Sequence, residues 1–139
     1  MGRVIAINIS AQRGTEKTSI NSVRVLENRG LEGDAHAGAW DRQVSILPLE
    51  ALALVPPDKL TEVLKGGYTE NFTISGIPLQ DLSIGKIIKI GEAEVKISSI
   101  GKEEFKEAGR PYIVSREGRF GRVIKGGTVK NGDEITCLN

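Results

Sequence analysis

Ile87-Ile88-Lys89-Ile90-Gly91-Glu92-Ala93-Glu94-Val95-Lys96-Ile97 is the stretch that decides the fold. Two runs rich in β-branched residues flank the pair Gly91-Glu92, and in the second run Ala93, Val95 and Ile97 alternate with Glu94 and Lys96. Strand periodicity on both sides of a two-residue glycine turn predicts a hairpin. The same device, a glycine just ahead of a strand, recurs at Ile84-Gly85-Lys86-Ile87, Phe120-Gly121-Arg122-Val123 and Asn131-Gly132-Asp133-Glu134-Ile135. Many short strands punctuated in this way suit a bent sheet that closes on itself better than a flat one. The expected fold is therefore mostly β: a closed β-barrel with a few short helices in its longer connections, forming a single domain over residues 1–139.

Working outward from the hairpin, further strands are expected at residues 4–9, 20–26, 44–47, 71–75, 122–125 and 134–138. Pro48 suits a first helical turn, and Leu49-Glu50-Ala51-Leu52-Ala53-Leu54-Val55 continues it until Pro56-Pro57 ends the run. A second helix is expected from Asp58, a capping residue, to the stop at Gly66-Gly67. Residues 103–108 suit a single helical turn.

Bulk properties narrow the function classes. Charged residues make up 27% and apolar residues 39% of the chain, a balance that excludes a disordered polymer. No apolar run approaches the roughly 20 residues of a membrane helix, and Met1-Gly2-Arg3-Val4-Ile5-Ala6 turns polar too soon for a signal peptide. One cysteine rules out an internal disulfide and suits a reducing compartment, so a cytoplasmic location is expected. A net charge of +1 argues against a nucleic-acid partner bound through many phosphates. The charge is uneven, however: residues 86–130 hold 11 Lys or Arg against 6 Asp or Glu, a surplus of 5. Such a surplus is either a solvated face or a pocket that draws in a small anion.

The most polar loop lies ahead of the third strand: Gly30-Leu31-Glu32-Gly33-Asp34-Ala35-His36-Ala37-Gly38, closing on Asp41-Arg42-Gln43. Glycines let a ligand approach the backbone closely. Asp34 and His36, two apart, form an acid–base pair or a weak metal pair, although a histidine bonded within its own loop satisfies the same pattern. A lone histidine without nearby cysteine does not make a tight zinc site. Arg42 is suited to clasp a phosphate or oxyanion in two places, and Gln43 adds hydrogen bonds. Glu70 and Asn71 form a second polar cluster where a strand begins, and an ordinary turn accounts for it equally well. Arg119 and Arg122 supply positive charge. Cys137 alternates with Ile135 along the last strand, which suits a packed thiol.

In order along the chain, Gly30-Leu31-Glu32-Gly33-Asp34-Ala35-His36, Arg42-Gln43-Val44-Ser45-Ile46, Glu70-Asn71-Phe72-Thr73 with Gly76, Leu82-Ser83-Ile84-Gly85 and Gly121-Arg122-Val123-Ile124-Lys125-Gly126-Gly127 with Gly132-Asp133-Glu134-Ile135 resemble the MOSC domain, named for the C-terminal part of molybdenum cofactor sulfurase. The resemblance implies a barrel like that of pyruvate kinase's β-domain and a role with the molybdenum cofactor. Asp34, His36, Arg42, Gln43, Glu70, Asn71, Arg119 and Arg122 would then hold molybdopterin or a molybdate-like oxyanion, with other cofactor-assembly proteins as partners. It also implies a sulfur-carrying cysteine after a Gly-Lys pair. The matching segment here, Ile100-Gly101-Lys102-Glu103-Glu104-Phe105, has none, and Glu104 stands nearest that place. A carboxylate cannot hold a sulfane sulfur and is a hard ligand where a thiolate is soft. The leading expectation is a binding or carrier module. Sulfur transfer through Cys137 and a non-catalytic docking module stay open as alternatives. Pyridoxal phosphate, sometimes associated with sulfurase-type enzymes, finds no lysine in an apolar setting to form a Schiff base.

Overall fold

The computed structural model describes residues 2–10, 18–35, 37–38, 40, 42–54, 70–101 and 118–138. It shows a mostly β protein built on a closed barrel of seven strands. In chain order the strands are β1 (Gly2–Ile9), β2 (Thr18–Ile20), β3 (Ser22–Leu26), β4 (Gly30–Leu31), β5 (Val44–Pro48), β6 (Phe72–Ser75), β7 (Ile87–Ile90), β8 (Ala93–Ile100), β9 (Arg119–Lys125), β10 (Gly127–Lys130) and β11 (Glu134–Cys137). The barrel runs β11-β7-β8-β9-β5-β6-β1 and closes where β1 meets β11, pairing Gly2 with Ile135 and Arg3 with Glu134. β2 is added beyond β1, and β10, β3 and β4 form a separate small sheet.

An odd ring cannot alternate strand direction all the way round. One neighbouring pair must be parallel, and it is β5 with β6, in the register Ile46 to Phe72. Parallel neighbours need a long crossover, which residues 49–71 provide. The crossover opens with a 3-10 turn at Leu49–Leu54, and Glu50 ties it back: its Oε2 accepts the Gly76 N–H at 2.7 Å.

The core fills the barrel. Ile7, Ile46, Phe72, Ile74, Leu82, Ile88, Ile90, Val95, Ile97 and Ile135 are each at most 1% exposed and belong to one cluster. Each such side chain contributes about 1.5–3 kcal/mol of burial. The residues between them point outward, and at the end of β1 and along β5 and β6 most of these are covered too. Asn8, Leu47 and Thr73 are 3%, 1% and 0% exposed. A second, partly polar layer therefore lies against the outside of the barrel there, and the candidate site is built in it.

The hairpin over 87–97 forms as expected, with Ile90 opposite Ala93. Other expectations need correction. The run 20–26 is not one strand: it breaks at Asn21, so that β2 pairs with β1 while β3 pairs with β4 and β10. Asn21 marks the corner, its carbonyl accepting the Asn131 N–H at 2.9 Å. The helix expected at 49–55 is a 3-10 turn, consistent with a segment too short for a stable α-helix and followed by Pro56-Pro57. β4 and β10 lie in glycine-bearing segments with weak strand signals. A further 3-10 turn at Leu79–Leu82 buries Leu82. The helix expected from Asp58 to Gly66 and the turn at 103–108 lie outside the described residues. Among the described residues no helix is long and apolar enough to cross a membrane.

Candidate functional site

The end of β1 gathers the first group of polar residues. Asn8 donates its N–H to the Asn71 carbonyl at 2.9 Å, and Asn71 Nδ2 donates back to the Asn8 carbonyl at 3.1 Å. Asn8 Nδ2 reaches the Glu70 carbonyl at 3.0 Å, and Ser19 Oγ donates to Asn8 Oδ1 at 2.8 Å. On the other side Asn71 grips Ser45: its N–H donates to Ser45 Oγ at 2.9 Å while its Oδ1 accepts the Ser45 N–H at 2.9 Å. The Asn71 side chain thus laces β1 and β5 across the start of β6. Asp34 joins from the glycine loop, its Oδ1 accepting the Ser10 N–H at 2.9 Å, while the Ala35 N–H donates to the Ser10 carbonyl at 2.7 Å. Asp34 and Glu70 are buried carboxylates, 6% and 4% exposed.

A second group continues along β5. Gln43 is fully buried, and its Oε1 accepts the Val123 N–H at 2.9 Å. The backbone ladder between β5 and β9 ends where Val44 meets Gly121, so this amide extends the pairing beyond the last backbone rung. The Gln43 Nε2 donates to Asn28 Oδ1 at 3.1 Å, and the same oxygen accepts Arg122 Nη2 at 2.9 Å. Asn28 in turn donates its N–H to the Val123 carbonyl at 2.8 Å. It is the one non-glycine residue among those described with a left-handed backbone, φ 55°. Asparagine tolerates that conformation better than most residues.

The arginines divide. Arg42, half-buried, lies with its guanidinium carbon 5.2 Å from the centre of the Phe120 ring. Arg122 is exposed on the same outer face of β9, two positions on. Arg119 stands an odd number of residues from Arg122, so it is on the opposite face: 5% exposed, with its Nε donating to the Leu82 carbonyl at 3.3 Å. Arg119 and Arg122 were expected to act together on one ligand, and the strand alternation turns them apart. His36 lies outside the described residues, as does Glu104.

The structure therefore brings Asp34, Gln43, Glu70, Asn71, Arg42 and Arg122 into one belt, joined through Ser45 and Asn28. Asn8, Asn28 and Ser45, which hold the belt together, were not singled out from the sequence. Asn28 had a usable signal, an asparagine just ahead of Arg29-Gly30. Asn8 and Ser45 had none, since each acts only through a distant strand. Among the described residues no three His, Cys, Asp or Glu side chains gather to cage a metal, whereas guanidinium and amide donors at the belt's Arg42–Arg122 end suit a phosphate or oxyanion. Cys137 is half-buried at the end of β11, its Sγ 3.9 Å from the Asp81 carbonyl. β11 meets β1 at Gly2 and Arg3, so the thiol lies beyond the opposite end of β1 from Ser10 and Asp34. A shallow groove lined by Arg3, Lys89, Asp133, Glu134 and Thr136 opens at that far end, mixed in charge and away from the belt.

No protein-family model matches the chain, and no curated protein matches its sequence. Solved structures do share its shape. The YuaD protein from Bacillus subtilis aligns with a TM-score of 0.64 at 18% identity, over 97% of this chain and 94% of that one. YiiM from Geobacillus stearothermophilus gives 0.66 at 17% identity, over 100% and 76%. A crystal structure described as a hypothetical protein gives 0.70 at 20% identity, over 100% and 68%. At these identities the likeness establishes a common barrel fold.

Proposed function

We propose that this chain is a MOSC-type module that binds an oxygen-rich anion of the molybdenum-cofactor class, molybdopterin or an oxomolybdate. One observation carries the reading: three of the segments that resemble the MOSC pattern, around Arg42–Ser45, Glu70–Asn71 and Gly121–Lys125, are bonded in series on a barrel of the matching kind, and a fourth, around Asp34, is bonded to Ser10 just past the end of β1, where Asn71 also holds Asn8. The shared fold with YiiM and YuaD is in keeping with it.

The division of labour follows from the side chains. The amides of Gln43 and Asn71 brace the backbone, so they fix the positions of their neighbours. Arg42 and Arg122 offer guanidinium donors at the outer face and would hold the anionic end of the ligand. Arg42 lies over the Phe120 ring, which reduces the freedom it loses on binding. When bound, the cofactor would itself supply the redox or sulfur chemistry. The chain's part would be to bind and orient it. Transfer of sulfur through Cys137 draws no support from the thiol's position beyond the far end of β1.

The test is titration of the chain with molybdate and, anaerobically, with molybdopterin released from a molybdoenzyme. Saturable binding is expected for at least one, weakened about tenfold by Arg42→Ala, a change that one lost charge-assisted contact of about 1.4 kcal/mol produces. Absence of saturable binding to both ligands overturns the reading.

A further inference from the structure

The shallow groove at the far end of β1 lies on the seam that closes the barrel. That junction is the shortest in the ring: β1 and β11 share two residue pairs, where every other pair of neighbouring barrel strands shares three or more. Gly91 opens the groove. It follows the last residue of β7, and its N–H donates to the Glu134 carbonyl at 3.1 Å, so it stands beside Glu134 with no side chain to fill the space. A β-carbon there would lie 2.5 Å from Asp133 Oδ2 and 3.1 Å from the Thr128 carbonyl oxygen, on a left-handed backbone of φ 55°. The volume left open, about 420 Å³, is in the size range of small-molecule sites.

Its walls carry opposite charges that are adjacent in register and yet not joined. Strand alternation turns Arg3, Lys89, Glu134 and Thr136 to the outer face, away from the buried Val4, Ile88, Ile90 and Ile135. Arg3 lies directly opposite Glu134, and Lys89 directly opposite Thr136. Opposite charges placed in this way across a sheet normally attract each other into a pair. Among the described residues no ion pair joins Arg3 or Lys89 to Glu134 or Asp133. Arg3 turns one guanidinium donor to the Gly132 carbonyl at 3.4 Å. The other neighbour of Lys89, Glu94, is engaged by Lys125 at 4.0 Å. Asp133 Oδ2 accepts the Lys130 N–H at 2.8 Å, which holds its carboxylate at the edge of the groove. Two cations and two carboxylates thus line one gap.

We propose that this groove binds a free amino acid with an acidic side chain. Arg3 presents its remaining donors to the α-carboxylate, Glu134 and Asp133 take the ammonium group, and Lys89 with the Thr136 hydroxyl holds the side-chain carboxylate. Each charged group of the ligand then meets the opposite charge. Glu134 and Thr136 are about 7 Å apart along β11, a span that an extended glutamate bridges. Such a ligand ties β1 to β11 and β7 across the shortest junction of the barrel, so its binding stabilises the closed ring. The site is separate from the belt and draws on none of its residues.

The test is calorimetric titration of the full chain, at constant ionic strength, with L-glutamate, L-glutamine and glutarate. L-glutamate is expected to bind saturably and to raise the thermal midpoint as its concentration rises. Glutarate, which lacks the ammonium group, and L-glutamine, whose side chain is neutral, should each bind about tenfold more weakly, the effect of one lost charge-assisted contact. Glu134 and Lys89 are exposed, so the fold tolerates their replacement. Glu134→Gln should weaken L-glutamate about tenfold and leave glutarate unchanged. Lys89→Gln should remove the preference for L-glutamate over L-glutamine. Absence of saturable binding by L-glutamate overturns the proposal. So does glutarate that binds as tightly as L-glutamate, L-glutamate affinity unchanged by Glu134→Gln, or a preference over L-glutamine that survives Lys89→Gln.

Discussion

Asn71 and Ser45 hold each other reciprocally, each donating its backbone N–H to the other's side-chain oxygen at 2.9 Å. This is how a parallel pair, β5 with β6, is stitched at its open end, beyond the first ladder position at Ile46 and Phe72. The same Asn71 side chain also reaches the Asn8 carbonyl on β1.

Removal of this stitch is therefore expected to be costly. Asn71→Ala strips partners from the Ser45 N–H and the Asn8 carbonyl in a covered setting and should destabilise the fold by about 2–4 kcal/mol. Urea unfolding of Asn71→Ala, Ser45→Ala and the double variant should show a coupling of about 1 kcal/mol or more. Simple additivity of the two would contradict the reciprocal bond.

Gln43→Glu yields a pH dependence with a definite sign. The carboxyl keeps the acceptor for the Val123 N–H but faces Asn28 Oδ1 without a donor unless it is protonated. Burial and that facing oxygen both raise its folded-state pKa above the ordinary value of about 4.3. A group raised in this way contributes its full stability below the unfolded pKa and loses it as pH rises through the folded one. Relative to wild type, the variant should be close to normal near pH 4 and clearly weaker at pH 7. Denaturant midpoints at the two pH values check this, and a deficit that grows on acidification would sink it.

Glycine substitutions should separate by what surrounds them. Gly30 has φ 128°, and a β-carbon there would lie 2.5 Å from the Gln43 carbonyl oxygen. That neighbour is backbone of the candidate site and has no soft way to move. Gly85 has φ 93°, with nothing within 4 Å of a β-carbon. Gly85→Ala is expected to cost about 1–2 kcal/mol of backbone strain alone. Gly30→Ala should cost at least twice that and also shift the environment of Gln43. Thermal melts of the two variants side by side decide the matter, and equal losses would count against the close approach at Gly30.

Asn28 offers a way to separate stability from anion binding. Asn28→Asp keeps the acceptor shared by Gln43 and Arg122, tolerates the left-handed backbone, and adds a negative charge beside Arg122. The fold should hold or gain stability while affinity for a phosphorylated ligand falls several-fold. Asn28→Ala loses both side-chain bonds and meets the φ penalty, so it should lose about 1–3 kcal/mol. Paired calorimetric and binding measurements test this, and tighter phosphate binding by Asn28→Asp would refute the assignment.

Local patterns carried much of the fold. The hairpin about Gly91-Glu92 is legible because alternation and turn chemistry act over a few residues, and the barrel class follows from the repetition of that pattern. The corner at Asn21 left only a faint local sign, the odd spacing from Ile20 to Val23, where Val23 and Val25 alternate. The change of sheet is decided by Asn131, more than a hundred residues away. In the site, residue types were informative and roles were not. Gln43 and Asn71 are as suited to a ligand as to a backbone, and only the positions of Val123, Ser45 and Asn8 show what they hold.

The chain's own order of residues determined that it would make short strands, where most of them turn, and which polar segments were unusual enough to matter, because these depend on side-chain alternation and backbone freedom within a few positions. Only the tertiary structure decided that seven strands close through one parallel pair, that Arg119 turns inward while Arg122 faces out, and that Arg3 comes to lie opposite Glu134. Those outcomes depend on register between strands remote in sequence, and a shift of one residue in that register exchanges the faces of a strand.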